Sequence, residues 1–69
     1  MSQMLKVIEV LAESDKSWEG AVGNAIQLAK KTVKNIRSVY IEKLDTRIDG
    51  NEVKSYRINA KITYLVENL

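Results

Sequence analysis

The side chains able to do chemistry in this chain are almost all carboxylates and cations. Its 69 residues include nine Asp or Glu and eleven Lys or Arg, with no His and no Cys. The commonest general base, the commonest metal ligand and the usual switch near neutral pH are therefore absent. So are disulfides and any thiolate metal site. No Gly-rich phosphate loop occurs. Glu9, Glu13, Glu42 and Glu52 are dispersed, and no motif pairs them for acid–base work. The expectation is a binding protein, not an enzyme. Calcium takes six to eight oxygen ligands. Glu42, Asp45, Asp49 and Glu52 offer oxygens near one ribbon, but no EF-hand loop is present and Asp49-Gly50-Asn51 reads first as a turn.

The elements that position these residues follow from periodicity. Residues 4–12 read as a strand with Lys6, Ile8, Val10 and Ala12 on one face and Leu5, Val7, Glu9 and Leu11 on the other. Both faces are largely apolar, which predicts that both are covered. Ser14-Asp15-Lys16-Ser17 breaks the run, and Ser17 is placed to cap a helix. Glu19 then falls in the first turn, where the helix dipole favours a carboxylate. The helix is expected from about residue 18 to about residue 34. Trp18, Ala21, Val22, Ala25, Ile26, Ala29 and Val33 form its apolar stripe, and Lys30, Lys31 and Lys34 crowd its last turns. Gly20 and Gly23 are costly inside a helix, and close packing on a sheet is the expected reason for both. Trp18 is expected to pack the helix start.

After Asn35 the period changes to two. Residues 39–48 and 53–66 read as strands joined by a hairpin turn at 49–52. In the last strand Tyr56, Ile58, Ala60, Ile62, Tyr64 and Val66 alternate with Ser55, Arg57, Asn59, Lys61 and Thr63. The first set predicts a wall for the helix, and the second a polar face. Tyr56 is expected on the helix side, and Tyr40 is left open. The fold class is α+β: a β-α-β-β subunit with an antiparallel sheet wrapped around one helix, residues 1–69 forming a single domain.

A domain this small buries only about 60% of its unfolded surface, and no disulfide staples it. Association is the remaining route to stability. The strands are long, and long ribbons invite partners, so strands two and three are expected to build subunit interfaces. A net charge of +2, spread along the chain, points to neither nucleic acid nor a membrane surface. No targeting signal or membrane span is read, and the expected location is the cytoplasm.

The chain resembles the dodecins over nearly its whole length. The residues that carry the resemblance are Lys6-Val7-Ile8-Glu9-Val10, the Ser-x-x-Ser-Trp-Glu-x-Ala run beginning at Ser14, Asn24 and Ala25 in the helix, and Tyr56-Arg57-Ile58. The resemblance implies a hollow homododecamer of cubic 23 symmetry and a role in storage or sequestration. Flavin-binding dodecins stack isoalloxazine rings (of FMN, FAD or riboflavin) between tryptophans. Here the stacking position is Ser38, and the position of the flavin-edge Gln is Arg57. That pair resembles a second branch of the family, in which the aromatic is absent and calcium binding has been proposed. The expected ligand-site positions are Ser38 and Arg57, with a flavin-type ligand or calcium as candidates. At that position Arg57 is implied to contact an anion or ligand. The alternative is a structural scaffold whose pocket is filled by protein side chains, with Arg57 paired to a carboxylate of a neighbouring chain, Glu9 or Glu42.

Overall fold

The computed structural model describes residues 3–68, with side chains through residue 66. Strand β1 (Gln3–Ser14) leads into helix α1 (Trp18–Ala29), followed by β2 (Ile36–Asp49) and β3 (Glu52–Asn68). The sheet is antiparallel in the order β1-β3-β2. The longest strand is thus central, and both of its neighbours are edges. The chain measures 54 × 20 × 14 Å.

The helix begins where the residue types require. Ser17 is extended, and its hydroxyl accepts from the Gly20 amide at 2.9 Å, meeting one of the orphan donors of the first turn. Its end comes earlier than the apolar spacing suggested. The amides of Lys31 and Thr32 bond back three residues, to Leu28 and Ala29, and Asn35 takes a φ of 59°. Val33 still packs against the core, but from an irregular connection. Lys30, Lys31 and Lys34 therefore lie beyond the helix and not in its last turns.

Ala21, Ala25 and Ala29 are buried and meet Ile58, Ala60, Ile62 and Ala12. This stripe of small side chains seats the helix close on β1 and β3. The wall on β3 is shorter than its alternation suggested. Ile58, Ala60 and Ile62 are fully covered, Tyr56 and Tyr64 only half so, and Val66 is exposed. The close-packing reason holds for Gly20, where a Cβ would stand 2.6 Å from the Ser14 hydroxyl. It fails for Gly23, which has nothing near it.

Gly50 and Asn51 both have positive φ, 59° and 65°, the signature of the tight turn whose twist matches the strands it joins. Three irregularities interrupt the β2–β3 pairing, between Ile36 and Ser38, Ile41 and Lys43, and Arg47 and Ile48. The outer face of β1 is not covered within the chain: Leu5, Val7 and Leu11 are 48%, 57% and 81% exposed. Among the described residues, no helix is long and apolar enough to cross a membrane.

Candidate functional site

The sheet face opposite the helix is built in rows across three strands. Arg57 on β3 lies between Glu13 on β1 and Asp45 on β2. One row further on, Asn59 lies between Leu11 and Lys43. The next places Lys61 between Glu9 and Tyr40. Each of two central-strand cations thus has a carboxylate in the flanking β1 position.

Arg57 donates from Nη2 to the Asp45 carboxylate at 2.5 Å. That hydrogen bond holds the Asp45 carboxyl below its ordinary value of 3.8, because it favours the charged form. Lys61 pairs with Glu42 at 3.0 Å. The hydrogen bond to Glu42 raises its pKa above the ordinary 10.5. Both pairs are about half exposed, so water screens them. Within one chain Arg57 thus has Asp45 as its carboxylate, a partner that the sequence reading did not name for it.

Glu13 is held from two sides. Its Oε1 accepts from the buried Ser55 hydroxyl at 2.8 Å, and its backbone carbonyl accepts from the Asn24 side chain at 2.7 Å. Trp18 donates from Nε1 to the Asp45 carbonyl at 3.1 Å, and its ring meets Tyr56 edge-on with centroids 5.2 Å apart. The helix start is thereby tied to the backbone beside Arg57. Trp18 is structural, as its place in the sequence suggested, and Tyr56 lies beside it.

These residues border a cleft of about 300 Å³, lined by Leu11, Glu13, Lys43, Asp45, Arg57 and Asn59. The Asn59 Oδ1 is buried without a hydrogen-bond partner. An unmet buried acceptor costs about 1–3 kcal/mol. Asn59 was legible as a polar-face residue. Its empty acceptor and the role of Asp45 were not.

Ser38 and Arg57 are not brought together. Ser38 pairs with Thr63 and Asp45 with Arg57, so the two positions lie six residues apart along β3, roughly 20 Å. A single ring system is too short to touch both within one chain. Ser38 supplies no ring to stack on, and Tyr40, 64% exposed, is the aromatic residue nearest to it in sequence. The cleft does not fit calcium within one chain. Its two carboxylates are engaged by Arg57 and Ser55, and Lys43 and Arg57 place two cations beside them. Among the described residues, no cluster of three metal-ligating side chains forms.

The family model described as Dodecin matches residues 4–67. The chain is similar to the calcium dodecin of Mycobacterium tuberculosis, 32% identical over 59 residues, which cover 86% of this chain and 83% of that protein. Among solved structures it is similar to the dodecin from Streptomyces davaonensis, with a TM-score of 0.93 at 13% identity, covering 99% of this chain and all of that one. It is also similar to the M. tuberculosis calcium dodecin, described as a calcium-chelating antigen with a novel calcium-binding site. There the TM-score is 0.80 at 28% identity, covering 96% and 99% of the two chains.

Proposed function

The chain belongs to the dodecin family, and from that membership we propose that it is a self-assembling binding protein that sequesters a small ligand on its polar sheet face. The copies form a hollow homododecamer, and the face carrying Arg57 and Asn59 lines its shared interior. The role is storage or buffering, without a catalysed step. The observation that carries this reading is the open cleft on that face, lined by Leu11, Lys43 and Arg57 among others.

The ligand class follows from the lining. Arg57 is paired with Asp45 and Glu13 with Ser55, which leaves Lys43, in no ion pair among the described residues, to attract an anionic group, and Leu11 presents an apolar surface. With Ser38 in place of a stacking ring, recognition of a flat aromatic system loses on the order of 0.5–1.5 kcal/mol per ring pair beyond its area term. A flavin would therefore be held through its phosphate more than through its ring.

Calorimetric titration of the assembled protein with FMN, riboflavin and calcium chloride tests this. FMN is expected to bind more tightly than riboflavin, and Lys43→Ala is expected to abolish the difference. Equal affinity for the two, unchanged by Lys43→Ala, contradicts the anionic part of the reading. The similarity to calcium dodecin supports a second reading, in which carboxylates from several copies pool at a symmetry axis. Saturable calcium binding that is lost in Asp45→Asn or Asp49→Asn would favour it. No binding of any of the three probes would favour the scaffold alternative.

A further inference from the structure

The single chain has too much surface for its mass. It exposes 5187 Å², whereas a compact monomer of this size exposes roughly 4,400 Å² by the scaling of area with mass. The elongated shape, 54 × 20 × 14 Å, is what leaves that extra surface open to a partner.

Two separate regions hold apolar surface that the chain does not cover. One is the hairpin end of the β2–β3 ribbon. The helix packs on β1 and β3, and Leu44, Ile48 and Val53 are left 55%, 58% and 50% exposed. The other is a groove between α1 and the β1 edge, about 250 Å³ in volume, lined by Ile8, Val10, Leu11, Ala25, Leu28 and Ala29. Leu28 and Leu11 on its rim are 62% and 81% exposed. Leu44 shares a row with Ala12 of the groove, since both pair with Ile58, but the hairpin tip lies beyond it. Ile48 pairs with Val53, and Leu11, beside Leu28 in the groove, pairs with Asn59, so tip and groove are six residues apart along β3, roughly 20 Å.

The charges complement each other too. The sequence has no acidic residue from Gly20 to Ile41, and Lys30 and Lys31 follow Leu28 and Ala29 at the groove's end. The hairpin turn carries Asp49 and Glu52, with Arg47 and Lys54 behind them. None of these residues forms an ion pair within the described chain.

We infer that the hairpin end of one copy docks in the α1–β1 groove of the next, with Ile48 and Val53 against Leu28 and Asp49 and Glu52 toward Lys30 and Lys31. The inference rests on the self-assembly reading and deepens it by naming the contact. A contact between two different patches is heterologous, and such contacts close into rings when the rotation allows. The threefold axes of a cubic assembly offer that closure.

The absence of cysteine makes the test clean. Ile48→Cys and Leu28→Cys are prepared as single variants, each checked for wild-type far-ultraviolet circular dichroism, then dissociated, mixed, reassembled and oxidised. Covalent dimers in the mixture, with few in either variant alone, are expected. The doubly substituted chain is expected to give a covalent ring, because the two positions are too far apart to join within one chain. An intact assembly of the mixed variants without such cross-links overturns the contact and leaves the self-assembly reading standing. A wild-type protein that stays monomeric at micromolar concentration overturns both. Ile48→Glu is a second check: the side chain is exposed in one copy, so the subunit folds but assembly is lost. Assembly that survives Ile48→Glu unchanged also overturns the contact.

Discussion

Arg57 and Asp45 decide how the polar face behaves at the scale of single residues. Arg57→Gln is expected to return the Asp45 carboxyl toward 3.8, as followed by carboxyl-carbon chemical shift against pH. A titration unchanged by the substitution would mean that Arg57 does not hold the carboxylate. The sign of the pH effect follows from the lowered value. The pair's contribution to stability is fully present above the unfolded Asp value and is lost as pH falls through the folded one. For Lys61 the order reverses: the contribution is present below 10.5 and is lost as pH rises through the raised value. The pairing of Asp45 was hidden from the sequence by one residue. Counting back from the turn, where Asp49 faces Glu52, places Asp45 opposite Tyr56. The irregularity between Arg47 and Ile48 moves it opposite Arg57. Periodicity assigned the face correctly, but a bulge has no clear signature in a single sequence.

The helix and its two glycines set the predictions at the scale of elements. Ser17→Ala is expected to cost about 1 kcal/mol, the usual loss for a hydroxyl N-cap. Gly23→Ala is expected to stabilise the subunit by roughly 0.5–1 kcal/mol, since the site is open and Ala is the better helix former. Gly20→Ala has the same propensity gain. However, its Cβ displaces the Ser14 hydroxyl, which accepts from the Lys16 and Ser17 amides, and the net effect is expected to be destabilising. Thermal melts at matched protein concentration distinguish the two, and an equal shift for both would contradict the packing argument. The start of the helix was legible because Ser17, Glu19 and the apolar stripe agree. Its end was not. Val33 continues the helical spacing, while the left-handed Asn35 and the short-range bonds at Lys31 and Thr32 stop the helix first.

Only part of the whole molecule was legible, because much of its hydrophobic surface belongs to contacts outside one chain. The clean alternation of β3 gave its two faces, and Ile58 and Ile62 are the largest fully buried side chains. Ile58→Ala or Ile62→Ala is expected to destabilise by about 2–5 kcal/mol, read from denaturant midpoints. The central position of β3 had no counterpart in the sequence pattern, because both β1 and β2 also carry apolar residues on both faces. The expectation that both faces of β1 are covered fails in one chain, where Leu5, Val7 and Leu11 are exposed. In the proposed assembly these residues face other copies or the interior. Assembly is thus the claim on which the shared cavity and its ligand depend. Native mass spectrometry of the purified protein at micromolar concentration tests it most directly. The account predicts a twelve-chain species that gains mass on addition of FMN. A monomer or simple dimer under those conditions would contradict it.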